Sequence, residues 1–423
     1  MKINTGLINS FYSFSSLFLK SLSNIGMPFL VANMFGVDVF SNFSFVVILG
    51  SLMLVFSEYG SFFWMPNSAS HDNPDFKKQF SSDIFHEALN FRLLFILGAA
   101  GVLSLLFIVD LISMSNYFLV LALVLYSLFS LFYYSFRAHG FFKEEFFLSL
   151  TLEATVFSIA VISLLVFRDY ELFVLTFFLT RLVLLFYIFV RYSVSPRLSL
   201  FQFINTINVR FFYFLQIFVS FIVLYVDTLF VKVFYESQLY LHQGFLRLLL
   251  LSCLFIPVMN SICLYYLRKR FLISVPIYRI FLKQVIFCSL FLVLFVSISS
   301  YIIFPTIVNF ILGDKYLALP QYAVQFAIII FLKYMSTAFG LNLTVIGRQS
   351  VRAKILLAVF FASAAAFYYG FVKLTFFHVF DLIVFSNTLL FVCYFVSYFV
   401  CDPPKAKDLN VFLDESMVNT IKR

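Results

Sequence analysis

Charged residues are scarce in this chain. Asp, Glu, Lys and Arg together make up 12% of its 423 residues, whereas hydrophobic residues make up 63%. Soluble domains carry roughly 25% charged and 45–50% apolar residues, so no soluble core of this size could enclose so much apolar surface. A soluble enzyme and a soluble nucleic-acid-binding domain are therefore excluded, and we expect no nucleic-acid partner.

Paired cysteines, clustered histidines and enzyme motifs are also lacking. The five cysteines fall in or beside apolar segments without paired spacing, and the five histidines are scattered. These spacings predict neither a disulfide nor a metal site. The HExxH, glycine-rich phosphate-loop and GxSxG patterns are absent, so we expect a protein that is not an enzyme and has no cofactor. We expect His242, at the start of an apolar run, to lie at a membrane interface.

Long apolar runs, by contrast, recur from one end of the chain to the other. Each is close to the ~20 residues that an α-helix needs to cross the hydrocarbon core of a bilayer. The pattern predicts an all-α polytopic membrane protein with twelve transmembrane helices. The predicted spans are approximately 11–34, 41–64, 89–109, 117–136, 146–166, 172–190, 211–233, 241–265, 281–304, 322–346, 353–371 and 377–400.

The positions of the basic residues predict the orientation of these spans, because Lys and Arg are enriched in cytoplasmic loops. If the N-terminus is cytoplasmic, every Lys and Arg in the loops or at the flanks of the spans lies on the cytoplasmic side, except Arg168, Lys232, Lys315 and Lys373. One missed span would have mixed the two sides. We therefore expect a multi-pass protein with both termini in the cytoplasm.

The twelve predicted spans divide into two groups of six, as in transporters built from two repeats. The expected organisation is an N-terminal six-helix lobe at 1–192, a cytoplasmic basic linker at 193–210, a C-terminal six-helix lobe at 211–400 and a cytoplasmic polar tail at 401–423.

Apart from bases at the flanks of the spans, eight charged residues fall inside predicted spans, where a charge costs ~2.5–3.5 kcal/mol on insertion scales. The basic ones are Lys20, Arg181, Arg247 and Lys333, and the acidic ones are Glu58, Glu153, Asp227 and Asp381. Lys20, Arg181 and Lys333 lie near the middle of their spans, whereas the acids lie nearer the ends. This difference predicts a mid-membrane site that attracts anions. Lys20 has no obvious acidic neighbour and is the strongest candidate for contacting a ligand.

Structural ion pairs are the alternative role for several of these residues. Asp227 and Arg247 lie at similar distances from the same hairpin and could pair with each other. Glu153 could pair with a base on the cytoplasmic side, either Arg137 or Arg210. Pairing of this kind would offset the cost of placing each charge in the membrane.

A set of short motifs lies around the first, second and seventh predicted helices. They are Pro28-Phe29-Leu30, Met34-Phe35-Gly36, Phe40-Ser41-Asn42-Phe43, Ser57-Glu58-Tyr59-Gly60 and Tyr225-Val226-Asp227-Thr228. In order and spacing these motifs resemble those of the polysaccharide exporters of the MATE/MOP superfamily. Phe35 is a departure, since that family usually has Leu at this place.

Within that superfamily the chain is most similar to Wzx-type flippases of O-antigen or capsule repeat units. The resemblance implies two six-helix lobes in a V shape. It implies translocation of undecaprenyl-pyrophosphate-linked oligosaccharides from the cytoplasmic to the periplasmic leaflet of a bacterial inner membrane by alternating access. The implied partners are the lipid-linked oligosaccharide and membrane lipids, with the polysaccharide polymerase and chain-length machinery as further candidates.

The resemblance and the charges inside the spans give two sets of candidate site residues. The candidates for binding pyrophosphate or glycan are Lys20, Arg247, Arg181 and Lys333. The candidates for ion coupling or structural pairing are Asp227, Glu58 and Glu153. A guanidinium group binds phosphate oxygens through two parallel hydrogen bonds, whereas an ammonium group acts as a point charge. The coupling ion, H⁺ or Na⁺, is left open.

Two other functions are kept as alternatives. A MATE-type drug or cation antiporter would share the fold, but we would expect an acid in its first helix, where this chain has Lys20. An O-antigen polymerase would join the same repeat units, but we would expect a long periplasmic loop, and the outward loops predicted here are short. The flippase is therefore the preferred hypothesis.

Overall fold

The architecture is built from α-helices. The computed structural model describes residues 2–68, 80, 82–196, 198–373 and 378–401, and within these ranges it contains fourteen α-helices and no strand. The first seven are α1 (Lys2–Phe35), α2 (Val37–Glu58), α3 (Ser61–Ser68), α4 (Asp83–Ile108), α5 (Met114–Ala138), α6 (Phe142–Phe167) and α7 (Tyr170–Arg191). The other seven are α8 (Leu200–Phe234), α9 (Leu239–Ser252), α10 (Phe255–Ile273), α11 (Val275–Ile307), α12 (Ala323–Val345), α13 (Gln349–Lys373) and α14 (Val379–Val400). Of the predicted tail at 401–423, residues 402–423 lie outside the described residues.

Ten helical stretches in the described ranges are long and apolar enough to cross a membrane. One of them combines α2 and α3 as Val37–Met65, and the apolar part of α1 counts only as the shorter stretch Gly26–Phe35. Helices α9 and α10 are separated by a break at Cys253 and Leu254 and are not among the ten. The all-α, multi-pass character of the chain is confirmed, whereas the count of twelve spans stays a prediction.

Single polar residues cap the first turns of several helices. Ser82, Ser113, Asp169 and Ser199 each precede a helix, and each side chain accepts a hydrogen bond from a backbone N–H of its first turn. Gly36 separates α1 from α2 with φ at 84°, a left-handed conformation that costs glycine little. These tight connections place consecutive helices side by side.

A second glycine lies where α2 and α3 meet. Tyr59 and Gly60 have φ values of 41° and 76°, which interrupts the helix. A Cβ atom on Gly60 would lie 2.6 Å from Cβ of Tyr213 and 2.7 Å from the backbone N of Phe214. Only a residue without a side chain therefore lets α8 pass this close to the break between α2 and α3.

The buried apolar side chains form two main clusters, one for each part of the chain. We name helices α1–α7 the first helix group and helices α8–α14 the second helix group. One cluster consists of residues between Met27 and Val194. The other consists mainly of residues between Val219 and Cys401, together with four residues of the first helix group. Each helix group is thus packed around its own core.

Helix α8 connects the two helix groups. It has 35 residues and is about 52 Å long at 1.5 Å per residue, which exceeds the ~30 Å hydrocarbon core. At its start the Asn90 side chain exchanges two hydrogen bonds of 2.7 Å with the backbone of Ser199. Arg210 forms an ion pair of 3.1 Å with Glu87. Residues 200–210, part of the predicted linker, are therefore helical and fixed on the first helix group.

Candidate functional site

A cavity of about 610 Å³ lies between the two helix groups. Most of its lining comes from the second helix group. The first helix group contributes Lys20, Glu58, Phe62, Phe63 and Tyr134. Ligand pockets in proteins typically measure ~300–1,000 Å³, so this cavity has the size of a binding site.

Six acidic, basic or histidine side chains line the cavity: Lys20, Glu58, Asp227, His242, Lys333 and Arg352. Two of the four residues predicted to bind substrate, Lys20 and Lys333, are therefore at the cavity. The other two, Arg181 and Arg247, are buried and do not belong to its lining. The cavity thus brings together only part of the predicted set.

Lys20 is paired with an acid that the sequence does not indicate. Its Nζ lies 2.5 Å from Oε1 of Glu145 and 3.5 Å from the centre of the Tyr133 ring. The prediction that Lys20 has no acidic neighbour is wrong, because α6 packs along α1 and places Glu145 opposite it. The same carboxylate is 2.6 Å from Nη2 of Arg137. Two bases and one acid leave this cluster with one net positive charge.

The acid on α8 is paired with a histidine rather than with an arginine. Oδ2 of Asp227 lies 3.0 Å from Nε2 of His242, and Nη2 of Arg247 donates to the backbone oxygen of Ser44 at 3.3 Å. The predicted pairing of Asp227 with Arg247 is wrong. His242 and Arg247 are five residues apart on α9 and so point about 140° away from each other. His242 is fully buried, so its predicted place at the membrane interface is also wrong.

Glu153 lies inside the first helix group, away from the cavity lining. Its Oε1 accepts a hydrogen bond of 3.1 Å from the hydroxyl of Tyr133. Arg137 and Arg210, the two predicted partners, pair with other carboxylates, so the predicted ion pairs of Glu153 are wrong. The tilt and rotation of the helices decide which side chain Glu153 meets. A sequence pattern carries no information about that tilt and rotation.

Arg181 is held entirely within the first helix group. Its Nη1 donates to the backbone oxygen of Ala122 at 2.7 Å, and its guanidinium carbon lies 4.3 Å from the centre of the Phe177 ring and 5.1 Å from that of Tyr126. Such ring contacts stabilise a cation in a dry environment. Arg181 is therefore placed to pack α5 against α7 rather than to meet a ligand in the cavity.

Glu58 reaches the cavity from the end of α2. Its Oε1 accepts hydrogen bonds from Oγ of Ser130 at 2.5 Å and from the hydroxyl of Tyr134 at 2.9 Å. Among the described residues no basic side chain lies within ion-pair distance of it. Hydroxyl donors thus hold this carboxylate at the cavity wall.

Arg352 is a cavity residue that sequence reasoning missed. The sequence placed it with the other bases of the cytoplasmic flanks, and no motif distinguishes it from them. Its guanidinium lies 5.2 Å from the ring centre of Phe63 and 5.7 Å from that of Tyr394, and it donates to Oγ1 of Thr344. In the described part of the chain neither Arg352 nor Lys333 has a carboxylate within ion-pair distance. Both cations are therefore available to an anionic ligand.

Uncharged polar and aromatic groups complete the lining. The amides of Gln216, Asn260 and Asn387 face the cavity, as do the rings of Phe63 and Tyr134. Amides provide both donors and acceptors for hydroxyl groups, and aromatic rings provide flat apolar surface. The cavity can therefore accommodate a ligand that has both negative charge and hydroxyl-rich parts.

Comparison with solved structures identifies the fold. The chain superimposes over 93% of its length on the eukaryotic MATE transporter AtDTX14 (TM-score 0.68, 11% identity, 94% of that chain). It superimposes equally far on an outward-facing multidrug resistance MATE family transporter of the MOP superfamily (0.69, 12%, 94%). It also superimposes on a MOP superfamily transporter from Pyrococcus furiosus, with a TM-score of 0.67 and 11% identity, over 94% of that chain. No family model and no curated protein matches the chain. The chain thus has the fold of the MATE/MOP transporters.

Proposed function

We propose that this chain is a MATE/MOP-type transporter that flips an undecaprenyl-pyrophosphate-linked oligosaccharide, as Wzx-type flippases do. In this proposal twelve spans form two six-helix lobes in a bacterial inner membrane, with both termini cytoplasmic. The lobes rock about the cavity and expose it to each side in turn. The fold supports transport by alternating access, and the transporters that share it support the expectation that the chain is not an enzyme.

The observation that carries the proposal is the set of cations in the cavity. Lys20, Lys333 and Arg352 line it, and the last two have no carboxylate within ion-pair distance among the described residues. A pyrophosphate group offers several oxygens to such cations, and one hydrogen bond to a charged group contributes ~1.5–3 kcal/mol. The cavity therefore suits an anionic headgroup.

The polyprenyl chain and the sugars of the substrate also find suitable surroundings. The polyprenyl chain can stay among the lipid tails, because its transfer out of them would be costly. The sugars need hydrogen bonds, which the amides of Gln216, Asn260 and Asn387 can supply. Asp227, paired with His242, and Glu58 are the groups in this proposal that couple flipping to H⁺ or Na⁺.

Export of cationic drugs is the second candidate function. The carboxylates of Glu58 and Asp227 line the same cavity, and one structure that shares this fold is a multidrug resistance transporter. Another such structure is described as having a binding pocket of reverse polarity that suggests a different function. We prefer the anionic substrate because Lys20 occupies the cavity wall contributed by α1.

Reconstitution into liposomes tests the proposal. Vesicles carry a lipid-linked oligosaccharide diphosphate in both leaflets, and a membrane-impermeant pyrophosphatase is added outside. With the protein present we expect nearly all of the substrate to be cleaved, because flipping replenishes the outer leaflet. Cleavage that stops at half with folded, reconstituted protein would contradict the flippase. Uptake of ethidium driven by an ion gradient in the same vesicles would support the drug antiporter instead.

A further inference from the structure

Among the described residues, Lys20 is the only one of the three cavity cations with a carboxylate within ion-pair distance. Oε1 of Glu145 accepts hydrogen bonds from Nζ of Lys20 at 2.5 Å and from Oγ of Ser16 at 2.9 Å. Glu145 is fully buried and does not line the cavity, whereas Lys20 does. The carboxylate therefore binds Lys20 without itself lining the cavity.

The same carboxylate would stay satisfied if Lys20 moved away. Arg137 donates to both of its oxygens, with Nη2 2.6 Å from Oε1 and Nε 2.8 Å from Oε2. Removing the partner of a buried charge is costly because that charge is left uncompensated, but Arg137 and Ser16 would still compensate Glu145. The four-carbon stem of lysine allows its ammonium group to turn towards the cavity.

We propose that Glu145 is an internal competitor for Lys20, and that this competition makes the cavity select diphosphate-linked over monophosphate-linked sugars. The inference rests on the proposed function and names a specificity-determining residue for it. A sugar joined to a lipid through one phosphate carries one negative charge. Such a ligand can bind Lys333 or Arg352, which have no carboxylate to give up among the described residues, and it then has no charge left to draw Lys20 from Glu145.

A sugar joined through a diphosphate carries two negative charges. One of them can take Lys20 from Glu145 while the second binds Lys333 or Arg352, which have no carboxylate to give up among the described residues. Because Arg137 and Ser16 still compensate Glu145 when Lys20 turns away, this second contact is a net gain that only a doubly charged ligand obtains. Selectivity then depends on the number of negative charges on the ligand rather than on its sugars.

Native mass spectrometry of the purified full chain can test this inference. The probes are undecaprenyl-phosphate-N-acetylglucosamine and undecaprenyl-diphosphate-N-acetylglucosamine, which differ by one phosphate. We expect the wild type to prefer the diphosphate by about tenfold or more, which is ~1.4 kcal/mol. Binding of neither probe would contradict the proposed function itself and not only this inference.

Two variants remove the competitor. Glu145→Gln leaves Lys20 without its carboxylate, and Arg137→Gln combined with Glu145→Gln does so while keeping the net charge of the cluster at plus one. In both we expect affinity for the monophosphate probe to rise about fivefold or more, the effect of freeing one charge-assisted contact. Glu87→Gln is the matched control, since Glu87 pairs with Arg210 outside the cavity and its loss should leave the preference unchanged.

A third variant keeps the buried pair of Glu145 and Arg137 and so avoids an unpaired acid. In Lys20→Gln we expect affinity for the diphosphate probe to fall about tenfold, while affinity for the monophosphate probe stays within about twofold. A parallel loss for both probes would overturn the inference, because Lys20 would then serve singly charged ligands too. An unchanged preference in folded Glu145 variants would overturn it as well, while leaving the flippase intact.

Discussion

Replacement of Lys333 by methionine is the sharpest test of the cationic cavity. Lys333 lies halfway along α12, lines the cavity and has no carboxylate within ion-pair distance in the part of the chain that the structure describes. Lys333→Met keeps a flexible side chain of similar length and removes only the charge. A lost hydrogen bond to a charged ligand group amounts to ~1.5–3 kcal/mol, so substrate affinity should fall about 10–150-fold.

The measurement is binding of the diphosphate-linked lipid, followed by the initial rate of flipping in liposomes. Lys333→Arg keeps the charge and should stay within about fivefold of the wild type. Lys315→Met makes the same charge change at an exposed position shortly before α12 and should have no effect. Because a charge without a partner inside the membrane lowers stability, Lys333→Met should melt no earlier than the wild type. Wild-type binding by folded Lys333→Met would refute the assignment of Lys333 to the site.

Three further substitutions test other parts of the structure. Gly60→Ala places a Cβ 2.6 Å from Tyr213 at positive φ and should destabilise the protein by ~2–5 kcal/mol in thermal unfolding, whereas Gly98→Ala, with open space around it, should not. Arg352→Gln should weaken diphosphate binding about tenfold in native mass spectrometry, and normal binding would exclude Arg352 from the site. Asp227→Asn keeps a hydrogen-bonding group beside His242 but no charge, so binding should persist while acceleration of flipping by an H⁺ or Na⁺ gradient is lost. If the gradient still accelerates flipping in Asp227→Asn, a residue other than Asp227 couples flipping to the ion.

The helices could be predicted from the sequence because each depends on a local apolar run. Each predicted span overlaps a helix or a pair of helices in the described residues. The ends were harder to predict, and α8 begins at Leu200 rather than near 211. Its first turns are fixed by contacts with Asn90 and Glu87, which lie more than a hundred residues earlier in the chain. Such contacts leave no local pattern.

The candidate site was predictable in part for the same reason. A charge inside an apolar run is visible in the sequence, so Lys20, Lys333, Glu58 and Asp227 were found. Their partners depend on helix rotation and on packing between distant helices. Glu145 was therefore missed as the partner of Lys20.

The central claim is that this chain moves lipid-linked glycans across the membrane. The most direct measurement is made in a strain that lacks only this gene, by locating the lipid-linked repeat units and assaying the surface polysaccharide. We expect single repeat units to accumulate on the cytoplasmic leaflet and the surface polysaccharide to disappear. Repeat units that reach the periplasmic leaflet unpolymerised would point to a polymerase, and normal surface polysaccharide would contradict the account.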